Sequence, residues 1–189
     1  MFLLEEDIAF ALDALKKGAM ILYPTDTVWG IGCDATNAEA VAKVYALKKR
    51  IDTKSMIVLV PEEQWILDYV ADPVPKVVDF IKGIMKPTTV IYERAKNLAP
   101  NLIGLDGSIA IRICKAGFAA QLIKKFGKPI VSTSANISGF PTPRCFKDIS
   151  LDIIEGVDYV VRTNQDETEL RQPSAIVKWE HNQLIVIRP

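Results

Sequence analysis

The chain has 189 residues, of which 49% are hydrophobic and 24% are charged, which is the length and balance of a single globular domain over residues 1–189. It has 23 basic and 23 acidic residues, so it has no overall positive charge with which to bind long nucleic acid. Any site for an anion must therefore be local. No run approaches the ~18 apolar residues of a membrane helix, and Glu5 and Glu6 follow the start at once, so we expect a cytoplasmic protein with no membrane partner and no secretory signal.

The cysteine and histidine content gives no metal or disulfide pattern. Cys33, Cys114 and Cys145 are odd in number, widely spaced and without a CxxC pair, so we expect reduced cysteines with structural roles. The chain has one histidine, His181, so neither a histidine-rich metal cluster nor a Ser-His-Asp site has the residues that it needs. The sequence therefore predicts no metal site built from protein side chains.

Hydrophobic periodicity predicts alternating helices and strands. The first helix is expected to follow the acids that end at Asp7 and to close at Gly18, and Asn37 is expected to cap the second helix. In chain order the predicted elements are helix 8–18, strand 19–23, helix 37–50, strand 55–60, helices 62–70 and 76–84, strands 88–92 and 108–113, helix 118–126, strand 128–133 and the hairpin strands 174–179 and 183–188. The hairpin requires at least one antiparallel pair. Together these elements predict an α/β domain on a mixed sheet.

Three segments interrupt the apolar pattern with side chains suited to phosphate and carboxylate. YPTDTVWGIGCDA spans residues 23–35, the basic LKKRIDTKS spans residues 47–55, and the hydroxyl-rich STSANISGFPTPR spans residues 132–144. Each alone has an ordinary explanation, since cations favour helix C-termini and hydroxyls bond their own turns. Neither a dinucleotide fingerprint nor a P-loop is complete. Because ligands bind outside strand ends in open α/β sheets, the three segments together predict an anion-binding pocket.

Taken together, these segments resemble the signature blocks of the YrdC-like family, the threonylcarbamoyl-AMP synthases. SIAIR, PSAIV and the closing IRP extend the resemblance over nearly the whole chain, in the form of the short stand-alone members. The resemblance implies an α/β fold whose twisted, mixed parallel and antiparallel sheet, with flanking helices, encloses a concave cationic cavity. It also implies a nucleotidyltransferase that makes threonylcarbamoyl-AMP and pyrophosphate from L-threonine, bicarbonate or CO2, and ATP. Other proteins then pass the threonylcarbamoyl group to the adenosine at position 37 of tRNA.

The family's pattern also implies roles for individual residues. The threonine site would contain Thr27, Arg112, Ser132 and Ser174. The ATP site would contain Arg50, Lys54, Ser108, Ser134, Asn136, Thr142 and Arg188. Of these, Arg50 and Lys54 are expected to be catalytic. Mg2+ is expected to arrive with ATP, because no dedicated carboxylate cluster is visible in the sequence.

The chain departs from the family's pattern in its basic segment. The usual Lys-Gly-Arg-Pro is here Lys48-Lys49-Arg50-Ile51, and the usual Lys-Pro-Leu that follows is Lys54-Ser55-Met56. The charges persist, while the glycine and the prolines that stiffen the loop do not. The neighbours of Asp26 leave its role open, since its carboxylate can face the substrate or brace its own loop.

Two other functions are weighed against the synthase. One is a double-stranded RNA-binding module of the same fold, which zero net charge and the lack of an aromatic-basic stripe count against. The other is a carbamoyl-transfer domain like that within hydrogenase-maturation proteins, which the small size and the lack of zinc-finger motifs disfavour. The sequence leaves direct contact with tRNA or double-stranded RNA open.

Overall fold

The computed structural model describes residues 2–49, 56–180 and 183–189. Its helices are α1 (Phe2–Lys16), α2 (Ala38–Lys48), α3 (Ile66–Tyr69), α4 (Pro75–Gly83), α5 (Gly117–Phe126) and α6 (Leu151–Gly156). Its strands are β1 (Ile21–Tyr23), β2 (Gly30–Gly32), β3 (Ile57–Val60), β4 (Thr88–Tyr92), β5 (Ile109–Ile113), β6 (Ile130–Ser134), β7 (Tyr159–Val160), β8 (Ala175–Glu180) and β9 (Gln183–Arg188). Short 3-10 turns cover Glu63–Trp65, Pro100–Leu102 and Phe146–Asp148.

The strands form one mixed sheet in the order β7-β1-β2-β6-β3-β5-β4-β8-β9. The pairs β1/β7, β3/β5 and β4/β8 are parallel, and the other neighbours are antiparallel. Helix α5 packs against α1 and against β3. The predicted α/β fold with a mixed sheet is confirmed, as is the antiparallel hairpin at the end. The turn of that hairpin, at His181 and Asn182, lies outside the described residues.

Helix α1 begins earlier than the sequence predicts. It begins at Phe2, so the acids lie inside the helix and do not precede it. The fully buried Asp7 carboxylate accepts hydrogen bonds from the Tyr159 hydroxyl at 2.6 Å, the Thr163 amide at 2.6 Å and Arg162 Nε at 3.0 Å. A buried carboxylate is tolerated when donors surround it in this way. Asp7 therefore joins α1 to β7 and to the chain that follows β7.

Strand β2 was not predicted because glycines supply two of its three residues and hide the apolar pattern. It nevertheless pairs with both β1 and β6. A Cβ atom on Gly32 would lie 2.5 Å from the Val131 carbonyl oxygen and 2.6 Å from the Tyr23 ring. Gly32 therefore lets the backbone of β6 and the ring of Tyr23 lie close against β2. Strand β7 and helix α6, which are two and six residues long, were also missed.

Both ends of α2 have recognisable caps. The Asn37 side chain accepts hydrogen bonds from the amides of Glu39 and Ala40, which confirms the predicted N-cap. At the other end Lys49 adopts the left-handed conformation, with φ 51. Glycine adopts this conformation with the least steric strain, so Lys49 stands at a position that favours glycine.

The central strands separate a polar face from a core face. Ile57 pairs with Ala110 on β5 and with Ser132 on β6, so these three side chains share one face. Their neighbours Val58 and Val131 point to the other side and are fully buried. Because side chains alternate along a strand, the same sheet can carry the core on one face and a site on the other. No helix among the described residues is long and apolar enough to cross a membrane.

Candidate functional site

A cavity of about 370 Å³ opens on the polar face of the sheet. Residues of β2 to β6, the chain before β8 and the end of β9 line it. Eight of the residues assigned from the family's pattern are among them: Thr27, Ser108, Arg112, Ser132, Ser134, Thr142, Ser174 and Arg188. Apolar walls come from Val28, Trp29, Met56, Ile57, Ile91 and Ile176. The fold thus gathers polar residues from distant parts of the chain into one concave site.

Arg112, on β5, is the buried cation of this cavity, with only 4% of the residue exposed. Its Nη2 lies 3.0 Å from Asp26 Oδ1 and donates to Thr25 Oγ1 at 3.4 Å. Its Nε is buried and has no hydrogen-bond partner within the described residues. A buried donor without a partner costs about 1–3 kcal/mol. A planar anion that accepts from the guanidinium would remove this cost.

The loop between β1 and β2 folds around the hydroxyl of Thr25. That hydroxyl donates to the Val28 carbonyl at 2.7 Å, lies 3.0 Å from Thr27 Oγ1 and accepts from the Thr27 amide. This local turn directs Thr27 into the cavity next to Arg112. Asp26, whose role the sequence leaves open, is the ion-pair partner of Arg112 and thereby braces the loop against β5.

The cavity is also lined by a second cation, Arg188, at the end of β9. Its Nε and Nη2 both donate to the Ser174 carbonyl, at 3.0 and 2.8 Å, while the Ser174 hydroxyl lies 2.8 Å from Thr89 Oγ1. Burial, and then the nearby charge of Arg112, lower the pKa of Arg188 from its ordinary value. Arginine nevertheless stays protonated at neutral pH, so two like charges face one cavity and favour an anion between them.

Lys48 was interpreted from the sequence as part of a basic cluster at a helix end, where solvated cations are common. In the structure the residue is 1% exposed. Its ammonium group donates to the carbonyl of Ser134 and, at 2.6 Å, to that of Asn136, and its own carbonyl accepts from the Ser138 amide. Lys48 thus ties the end of α2 to the loop after β6. The charge pattern alone gave no signal for this role.

Asn136 supports this loop and does not line the cavity. Its Oδ1 accepts from the Ser134 hydroxyl, and its Nδ2 donates to the carbonyls of Ile137 and Phe140. These bonds shape the turn that carries Ser134 into the cavity. The two residues expected to be catalytic, Arg50 and Lys54, lie outside the described residues, so their roles stay predictions.

Cys33 and Cys114 offer no ready nucleophile. Cys33 and Cys114 are buried, and all three cysteines are free. Burial raises the pKa of Cys33 above its ordinary value and raises that of Cys114 to about 12. A thiol with so high a pKa is protonated at neutral pH and is a poor nucleophile. Both side chains therefore act as small core residues, as the sequence predicts.

The fold and the cavity define a class of α/β protein in which one face of a mixed sheet carries a cleft lined by hydroxyl groups and by the cations Arg112 and Arg188. The chain belongs to the Sua5/YciO/YrdC family, whose family model, described as "Telomere recombination", matches residues 13–189. A threonylcarbamoyl-AMP synthase of Pseudoalteromonas translucida is 35% identical over 160 residues, which is 83% of this chain and 86% of that protein. A protein of the same name from Photobacterium profundum is 31% identical over 175 residues, which is 88% of this chain and 94% of that protein.

Solved structures have the same fold. P. abyssi Sua5 complexed with L-threonine superposes with a TM-score of 0.85 at 21% identity, over 96% of this chain and 53% of that one. The chain therefore spans about half the length of that Sua5. E. coli YciO superposes with a TM-score of 0.80 at 20% identity, over 96% of this chain and 87% of that one. These likenesses establish the architecture independently of the sequence pattern.

Proposed function

We propose that this chain is a threonylcarbamoyl-AMP synthase, an enzyme of the nucleotidyltransferase class. The observation that carries the proposal is the buried Arg112 Nε, which has no partner within the described residues and borders the cavity. Relatives that cover most of the chain at 31–36% identity bear the name of this activity. Their names favour the synthase over a double-stranded RNA-binding module.

L-Threonine is the substrate that we assign to the Arg112 end of the cavity. Its carboxylate would accept two hydrogen bonds from the guanidinium in a planar arrangement. The hydroxyls of Thr27, Ser132 and Ser174 line the same cavity and can bond the amine and the side chain of the substrate. Hydroxyls can position a neutral amine, whereas a ring of carboxylates would hold it as ammonium, which cannot attack CO2.

ATP is assigned to Ser108, Ser134, Thr142 and Arg188, which line the same cavity. Attack of the amine nitrogen on CO2, with loss of a proton, forms a carbamate. A carbamate oxygen then bonds the α-phosphorus of ATP as the bond to the β-phosphate oxygen breaks, and pyrophosphate leaves with its electron pair. Both reacting partners are anionic, so positioning and cationic stabilisation are what the protein must supply. No covalent protein intermediate is needed.

Mg2+ is proposed to enter with ATP as part of the substrate. Among the described residues, no three His, Cys, Asp or Glu side chains come together to hold a metal. Mg2+ commonly binds through substrate phosphates and retains several waters, which suits a cavity lined by hydroxyls. Arg50 and Lys54 are proposed to neutralise the phosphates, and downstream tRNA-modifying proteins are proposed to take the product.

Pyrophosphate release from ATP tests the proposal when L-threonine and bicarbonate are each omitted in turn. We expect release only when both are present, because their carbamate is the nucleophile. Mass spectrometry should then detect threonylcarbamoyl-AMP. Release that is independent of threonine would remove the assignment, and tight duplex RNA binding that persists at high salt would favour the binding module.

A further inference from the structure

The segment 164–174, which connects β7 to β8, runs along the mouth of the cavity. Its last residues, Pro173 and Ser174, line the cavity itself. Further back along the segment, the Arg171 amide donates to the Arg144 carbonyl at 3.2 Å. The segment therefore lies between the loop after β6 and the loop that carries Thr27, and it can influence both.

A chain of polar contacts crosses this segment and ends on the Thr25 backbone. Asn164 Nδ2 donates to one oxygen of the Glu167 carboxylate. The other oxygen of Glu167 accepts from Arg171 Nη2 at 2.8 Å, and Arg171 Nη1 donates to the Thr25 carbonyl at 3.2 Å. Glu169 lies 3.7 Å from the same guanidinium. Acidic residues of its own segment therefore fix the Arg171 guanidinium, which binds the backbone of the neighbouring loop at Thr25.

The loop that Arg171 binds is the one between β1 and β2, which carries Thr27, a residue assigned to the amino-acid substrate. Thr25 contacts Thr27 through its hydroxyl, and Arg112 Nη2 donates to that same hydroxyl. We propose that Arg171 is a positioning residue for the amino-acid substrate. It acts through Thr25 to hold Thr27 and Arg112 in the geometry that binds an α-amino carboxylate.

The outer side of this loop borders open space. Asp26 and Thr27 also line an outer cavity of about 450 Å³, to which Arg171 contributes. Residues 23–25 and 27–30 are buried, so packing holds most of the loop and the polar contact at the Thr25 carbonyl adds to it. A forked guanidinium that binds a carboxylate and a carbonyl at once is suited to fix it, because both contacts depend on one rigid plane.

The inference rests on the proposed function, and direct binding of L-threonine separates the two. We expect Arg171→Gln to raise the Kd for L-threonine, measured calorimetrically, about tenfold, which corresponds to ~1.4 kcal/mol. The KM for ATP should change less than about twofold, because among the described residues the Arg171 side chain bonds to Thr25 and Glu167 and not to the residues assigned to ATP. Arg171→Lys retains a donor for the Thr25 carbonyl and should bind L-threonine within about threefold of wild type.

Arg94→Gln is the matched control. Arg94 also pairs with a surface carboxylate, Asp72 at 2.8 Å, but it does not line the cavity, so its loss should leave both constants unchanged. A folded Arg171→Gln variant that binds L-threonine as tightly as wild type overturns the positioning role and leaves the proposed function intact. If Arg171→Gln fails to fold, Glu167→Gln carries the test, with an expected rise in Kd of about threefold, and an unchanged Kd overturns the role. Wild-type protein that does not bind L-threonine refutes the proposed function and this role together.

Discussion

Lys48→Met isolates the ammonium group that ties α2 to the loop after β6. Methionine retains most of the length and apolar bulk of lysine, so the main loss is the hydrogen bonds to the carbonyls of Ser134 and Asn136. The Asn136 carbonyl would lose the ammonium donor at a cost of about 1–3 kcal/mol, the Ser134 carbonyl would keep the Asn136 amide at 2.8 Å, and removal of a buried charge returns part of the loss. We expect a net loss of about 1–3 kcal/mol in the free energy of unfolding.

For a chain of this size, such a loss lowers Tm by roughly 2–12 °C. Because the freed loop carries Ser134 into the cavity, kcat/KM for ATP should also fall more than about tenfold. Thermal melts and steady-state kinetics measure the two effects, and Lys49→Met is the control, since Lys49 is exposed and should change stability by less than about 0.5 kcal/mol. Equal melting points and equal kcat/KM values for the two variants would refute the role assigned to Lys48.

Three further predictions concern the site and the core. Arg112→Lys should raise KM for L-threonine about a hundredfold, because an ammonium cannot form the planar pair of bonds, and an unchanged KM contradicts the assignment. Burial acts to raise the pKa of Asp7, but its hydrogen bonds lower the pKa overall. The ionised Asp7 carboxylate therefore stabilises the folded protein above about pH 4, and this contribution is lost as pH falls through the folded-state pKa. In urea unfolding, the free energy of unfolding of Asp7→Asn should lie well below that of wild type at pH 7, and the difference should shrink near pH 3. A difference that is equal at both pH values contradicts this. Arg50→Ala and Lys54→Ala should each lower kcat/KM for ATP about ten- to a hundredfold with unchanged Tm, and effects below twofold mean that the phosphates bind elsewhere.

Local signals in the sequence were enough to predict most of the elements. Asn37 is a typical helix N-cap, and the run that ends at Val60 has the uninterrupted apolar pattern of a strand buried on both faces. Strand β2 was not predicted because glycine has no side chain to show the alternation of apolar and polar residues along a strand. The start of α1 was misplaced because acids commonly mark the first turn of a helix, whereas Asp7 is held inside by donors more than 150 residues away in sequence.

The site was less accessible to sequence reasoning than the fold. Hydroxyls and cations near strand ends indicated an anion pocket, but the division of residues between threonine and ATP came from the family resemblance. The pairing of Asp26 with Arg112 and the burial of Lys48 depend on which strands become neighbours in the sheet. That information is absent from the spacing of residues within any one segment.

The strand order has a consequence for how the cavity comes into being. Strand β6 sits between β2 and β3, and the pair Gly30 and Ser134 joins positions roughly a hundred residues apart. During ribosomal synthesis β1 to β3 are made long before β6, so the edges of β2 and β3 that pair with β6 stay unpaired until then. Contacts this distant in sequence slow folding, because the entropy of closing long loops is lost before the contacts form. Arg188, at the end of β9, is made after strands β1 to β8, so the complete binding cleft forms late in folding and cannot assist the assembly of the sheet that holds it.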